Sequence, residues 1–81
     1  MITHLYIMSN DTKWMFQEVD LSFTPQVGTD LTGLTDEQPL RINGMSYDVP
    51  GNFFKLRLSW LSTDPMTSTE MMKLGWTVKE K

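Results

Sequence analysis

The run from Phe53 to Leu61 alternates more cleanly than any other stretch of the chain, with Phe54, Leu56, Leu58 and Trp60 on one side and Lys55, Arg57 and Ser59 on the other. A period of two sends successive side chains to opposite faces of an extended strand, so this segment reads as the central strand of a half-buried sheet. Ile2 to Ser9 is apolar on both sides, Ile2, Tyr6 and Met8 against Leu5 and Ile7, which fits a strand covered on both faces. The turn cluster Ser9-Asn10-Asp11-Thr12 then predicts a hairpin, because Asn and Asp bond their own backbone and tolerate left-handed φ. Its second strand, Lys13 to Phe23, puts Met15, Val19, Leu21 and Phe23 inward and Glu18, Asp20 and Ser22 outward. Trp14 and Phe16 fall on the polar side. They either cover a sheet edge or bend, or form an exposed aromatic pair for a partner.

Farther along, Leu40-Arg41-Ile42 and Met45-Ser46-Tyr47-Asp48-Val49 flank Asn43-Gly44. Asn-Gly suits both positive-φ positions of a type I′ turn, so the pair predicts a tight hairpin in which Ile42 faces Met45 and Leu40 faces Tyr47. Leu40, Ile42, Met45, Tyr47 and Val49 then share one side of the ribbon, and Pro39, Arg41, Ser46 and Asp48 the other. Thr24 to Gln38 reads as a long connection anchored by Val27, Leu31 and Leu34, serving as a binding loop, a crossover arm or a short irregular hairpin. Val49-Pro50-Gly51-Asn52 predicts a type II bend before Phe53. Thr67-Ser68-Thr69-Glu70 has capping-box spacing and opens the only plausible helix, with Met71 and Leu74 inward, Met72 exposed and Gly75 as its stop. Trp76-Thr77-Val78 closes the chain as a short strand.

These elements predict one mainly β domain over residues 1–81: a small curved antiparallel sheet, or a partly open barrel, of five to six strands with one short helix near residues 67–74. Thr24-Pro25-Gln26-Val27-Gly28 followed by Leu40 to Val49 resembles the Pro-x-Val-Gly, apolar-x-apolar, Gly-x-x-Tyr-x-Val rhythm of small SH3-like barrels of bacteria and phages. The likeness covers about a third of the chain and implies a small β-barrel. It carries over no functional residue.

Composition narrows the chemistry. The 81 residues include no Cys and one His, so disulfides, thiolate metal sites and Cys nucleophiles are excluded together and a reducing, cytoplasmic home is expected. No apolar run approaches the roughly 20 residues a membrane span needs. Ten carboxylates against seven Lys and Arg give a net charge of −3, which opposes association with bulk nucleic acid. His4 lies alone in an apolar strand, a poor basis for a zinc site or a triad. Asp11, Asp36, Glu37 and Asp48 are the carboxylates a paired-acid mechanism would draw on, yet none sits in a motif that predicts burial or a raised pKa.

The reading is therefore a non-catalytic binding module without metal or cofactor, of the kind found among phage and mobile-element proteins that attach to a host factor or to copies of themselves. Its expected protein-binding residues are Trp14, Phe16, Asp30, Asp36, Glu37 and Met72, the last within a Met-rich segment that adapts to varied partners. Homo-oligomerisation through an open edge is a related expectation, because the first and last strands carry few guarding charges. The alternative is a single-stranded nucleic-acid-binding barrel in which Arg41, Lys55 and Arg57 track phosphates and Phe53 or Tyr47 stack bases at the margins.

Overall fold

Asn43-Gly44 lies inside a strand and makes no turn. In the computed structural model, which describes residues 1–36 and 38–79, the chain forms β1 (Ile2–Met8), β2 (Trp14–Asp20), β3 (Asp30–Thr35), β4 (Gln38–Asp48), β5 (Phe53–Trp60), helix α1 (Ser68–Met72) and β6 (Thr77–Val78). The whole of β4 pairs antiparallel with β5, from Leu40 opposite Trp60 to Asp48 opposite Phe53, and the register shifts between Ile42 and Gly44. Neither Asn43 nor Gly44 has positive φ. The expected Ile42–Met45 and Leu40–Tyr47 pairs are replaced by Ile42–Leu58, Met45–Leu56, Leu40–Trp60 and Tyr47–Phe54.

The physical reason lies in the spacing of the apolar residues. Leu40 and Ile42 are two apart, but Met45 follows Ile42 by three, so a regular strand would turn Met45 and Tyr47 to the opposite face. A bulge inserts one residue and restores the phase. The face shared by Leu40, Ile42, Met45 and Tyr47 was therefore legible while the pairing was not, and Val49, also expected on that face, lies past the end of β4 and is exposed. A ladder against the apolar side of β5 buries more than a two-residue turn can, and long-range packing overrode the local preference.

The true hairpin turn is Val49 to Asn52. Asp48 accepts from the Asn52 N–H through its carbonyl at 2.8 Å and from the Gly51 N–H through Oδ2 at 2.7 Å. Asn52, at φ 59°, takes the left-handed position that a type II turn would have given Gly51. At the β1–β2 hairpin it is likewise Thr12, at φ 59°, that turns left-handed, rather than Asn10 or Asp11. Phe23 lies beyond the end of β2 and is exposed, contrary to its expected inward place. The stretch from Thr24 to Gln38 holds β3, joined to β4 in an irregular hairpin.

The strands form one sheet in the order β3-β4-β5-β1-β2-β6, curled into a half-barrel. Every neighbouring pair is antiparallel except β1 with β5, where Leu5 lies beside Leu56 in a parallel ladder. That pairing places the first strand inside the sheet, so it offers no edge for oligomerisation. The edges are β3 and β6. Leu5, Ile7, Met15, Leu31, Leu40, Ile42, Leu56 and Leu58 line the concave side and are buried together with Met71 and Trp76. Each fully buried side chain of this size stabilises the fold by about 2 kcal/mol.

Helix α1 has the expected capping box: the Thr67 hydroxyl accepts from the Glu70 N–H, and the Glu70 carboxylate accepts from the Thr67 N–H. Gly75, at φ 97°, ends the helical turn, with the Trp76 N–H on the Met71 carbonyl and the Gly75 N–H on the Met72 carbonyl, both at 3.2 Å. This paired arrangement is a Schellman turn. Because the helix stops so early, Leu74 is exposed instead of packed inward, while Met71 is buried and Met72 exposed as the spacing predicts. Among the described residues no helix is long and apolar enough to cross a membrane.

Candidate functional site

Among the described residues no helix or strand packs over the convex side of the sheet, and the strand registers order its side chains in rows. One row runs Gly44, Arg57, Tyr6, Phe16 and Thr77 across β4, β5, β1, β2 and β6. The next runs Ser46, Lys55, His4 and Glu18. Trp14 stands opposite Met8 at the end of the β1–β2 ladder. Alternation along β2 and β5 brings Trp14 and Phe16 to the same face as Lys55 and Arg57, so residues expected for two different functions share one surface.

The aromatic rings there pack mostly on one another. Phe53 stacks on His4 with ring centroids 4.0 Å apart, and Phe16 meets His4 edge-on at 5.1 Å and Tyr6 at 5.3 Å. The Lys79 ammonium lies 5.4 Å over the Phe16 ring and that of Lys55 lies 5.8 Å over Phe53. Such contacts between rings and cations each contribute on the order of 1 kcal/mol. The His4 Nε2 atom sits 3.2 Å from a Glu18 carboxylate oxygen. Trp14 stays 36% exposed.

Beside Trp14 the surface dips into a cleft of about 370 Å³, lined by Tyr6, Trp14, Gly44, Met45, Ser46, Lys55, Leu56 and Arg57. Gly44 and Ser46 keep its β4 side low. Arg57 leans across Gly44, where an added Cβ would lie 3.4 Å from Nε. Among the described residues neither Lys55 nor Arg57 has a carboxylate partner. Asp48 shares their face, but its carboxylate is turned to the Gly51 amide.

The remaining expected residues lie elsewhere. Asp30 and Arg41 face each other across β3 and β4, with Arg41 Nε to Asp30 Oδ1 at 2.7 Å and Nη2 to Oδ2 at 3.3 Å. Hydrogen bonding from Arg41 holds the Asp30 carboxyl below its ordinary range and raises the guanidinium in turn. Arg41 is thus already neutralised and does not join Lys55 and Arg57. Asp36 occupies the β3–β4 turn at φ 56°, and Glu37 lies outside the described residues. Met72 belongs to α1, whose Met71 packs into the concave core. Tyr47 pairs with Phe54 on the concave side, with centroids 4.9 Å apart, and so is absent from the convex platform.

Sequence reasoning missed Tyr6, His4, Gly44, Ser46 and Lys79 as members of this surface. The parallel β1–β5 pairing that brings Tyr6 beside Arg57 has no local signature. Lys79 arrives because its N–H bonds the Trp14 carbonyl at 2.8 Å, just past β6. Among the described residues no group of three His, Cys, Asp or Glu side chains is placed to hold a metal ion. Asp11 is held well below the carboxylate range, first by the Ser68 hydroxyl and then by that of Ser9. A general acid needs the opposite shift. Comparison with protein-family models, with curated proteins and with solved structures found no match.

Proposed function

We propose that the protein is a non-catalytic binding module that engages a protein partner through its convex face. The observation carrying this reading is the juxtaposition of an exposed Trp14 with a largely apolar cleft and two cations, Lys55 and Arg57, that lack carboxylate partners among the described residues. Tryptophan and arginine are the side chains that most often dominate protein interfaces, because both combine large contact area with directed polar groups.

Two features favour a protein over a single-stranded nucleic acid. Base stacking needs open ring faces, whereas Phe53 and His4 are stacked on each other and Phe16 is covered by Lys79. A phosphate track also needs continuous positive charge, and here Glu18 interrupts the row of Lys55 while Arg41 is held by Asp30.

The test compares immobilised wild type, Trp14→Ala, Arg57→Gln and Met72→Ala, each first verified as folded by circular dichroism. A partner retained from lysate by wild type and Met72→Ala, but lost from the other two, supports the reading. Equal retention by all four overturns it, as does tight binding of a single-stranded oligonucleotide that collapses with salt.

A further inference from the structure

We infer that the cleft between Trp14 and Arg57 takes a bulky apolar side chain presented next to a carboxylate, so that the partner docks through an acidic, aromatic-bearing segment. This deepens the protein-binding reading and rests on it. The cleft complements such a segment in size, polarity and sign.

Size comes first. At about 370 Å³ the cleft is at the low end of what small-molecule sites enclose, room for one large side chain and its neighbour rather than for a cofactor. Polarity follows from the lining. The Tyr6 and Trp14 rings and the stems of Lys55 and Arg57 form the walls, and long cationic side chains cover apolar surface with their stems while the charge stays at the tip. An apolar group entering between them is desolvated by rings and methylenes. Arg57 lies alongside Gly44 of β4, its Nε 3.4 Å from where a Cβ would sit, and both residues line the cleft.

Sign is the distinguishing feature. The chain as a whole carries a net charge of −3, yet both charged residues lining this cleft are cations. Arg41, on the neighbouring strand β4, shows what a satisfied arginine in this sheet looks like, with two hydrogen bonds from its guanidinium to Asp30. Arg57 offers the same planar fork with no carboxylate against it among the described residues, and a carboxylate is the group that fork matches. An anionic partner would be drawn to this cleft and repelled from most of the remaining surface, so charge selects the orientation of docking as well as the partner.

The indole groups provide the readout. Trp60 donates its N–H to the Met8 carbonyl at 2.7 Å and Trp76 donates to the Leu34 carbonyl at 3.0 Å, whereas Trp14 lines the cleft. A titration of the isotope-labelled protein with N-acetyltryptophan, which joins an indole to a carboxylate, should shift the Trp14 indole signal and leave those of Trp60 and Trp76 in place. N-acetyltryptophanamide and tryptamine, neutral and cationic, should shift it far less. Arg57→Gln should weaken the N-acetyltryptophan response on the order of tenfold, the loss of one charge-assisted contact, and Lys55→Gln should weaken it in the same direction.

Equal responses to all three compounds would overturn the inference, because the cleft would then be adsorbing apolar rings without regard to charge. So would no response at millimolar concentration, or a salt-sensitive response to oligothymidylate at the same signals that exceeds that to N-acetyltryptophan. If the charge preference is absent but Trp14→Ala still abolishes capture of a partner, only the acidic-segment inference fails and the protein-binding reading stands.

Discussion

The indole N–H of Trp76 donates to the carbonyl of Leu34 at 3.0 Å, tying the end of the chain to β3. Leu34 belongs to one edge strand of the sheet, and Trp76 immediately precedes the other. The bond therefore spans the open side of the half-barrel, and the ring itself, 1% exposed, fills the concave core between the edges. Trp76→Phe keeps most of the apolar bulk and removes the donor, which should cost about 1 to 2 kcal/mol. Trp76→Ala also opens a cavity and should cost about 3 to 5 kcal/mol. Urea unfolding of the two variants checks the order, and a Trp76→Phe variant as stable as wild type would show that the hydrogen bond contributes nothing.

Gly44 separates a bulged strand from a tight hairpin. At a left-handed position an added Cβ would strain the backbone, but Gly44 has no positive φ and its Cβ would meet only ordinary or slightly close contact with Arg57. Gly44→Ala should leave the melting temperature within a few degrees of wild type. Gly75→Ala should lower it, since that glycine sits at φ 97° in the turn that ends α1, and the cost is about 1 to 2 kcal/mol. A thermal melt that ranks Gly44→Ala as the more damaging change would contradict the bulge.

Space, rather than φ, constrains Gly51. A Cβ there would run into the Phe53 ring and the Asp48 carboxylate, the group that accepts the Gly51 N–H. Gly51→Ala should therefore loosen the β4–β5 turn and the Phe53–His4 stack above it. Faster amide exchange at Asn52 and Phe53, with slower exchange preserved at Leu56, is the expected pattern.

Asp11 links the β1–β2 turn to the start of α1, accepting from the Ser68 N–H at 2.8 Å, the Ser68 hydroxyl at 2.5 Å and the Ser9 hydroxyl at 2.6 Å. These bonds favour the ionised form and depress its pKa below the ordinary value of 3.8. A depressed carboxyl stabilises the fold above its unfolded value, and the benefit is lost as pH falls from there through the folded value. Acid should thus destabilise wild type progressively below about pH 4. In Asp11→Asn this part of the pH dependence should be missing, with lower stability at neutral pH. Parallel pH profiles of stability for the two proteins would refute the linkage.

Arg41 makes a convenient negative control for the convex face. Its guanidinium is engaged by Asp30 on β3. Arg41→Gln should leave the Trp14 indole response to N-acetyltryptophan unchanged, while Arg57→Gln reduces it. A comparable loss from both would mean that general charge, rather than the fork at the cleft, governs the response.

Local patterning determined a good deal about this protein. Period-two alternation marked the inward face of β5, the Thr67 capping box opened the helix, and Trp14, Phe16, Lys55 and Arg57 all fell on the outward side, because side-chain direction along a strand depends only on the backbone repeat. The first strand, expected to be covered on both faces, buries its Thr3, Leu5 and Ile7 side and leaves His4, Tyr6 and Met8 half-buried. Tertiary structure alone decided which strands became neighbours. The parallel β1–β5 ladder joins segments about fifty residues apart, and no short-range preference encodes it. The same competition changed the role of Asn43-Gly44, where apolar burial along the full β4–β5 ladder outweighed a turn preference confined to two residues. The cleft exists because Tyr6, Trp14, Gly44 and Arg57 come from four adjacent strands. Strand order, which is settled by the total apolar surface buried, brought them together.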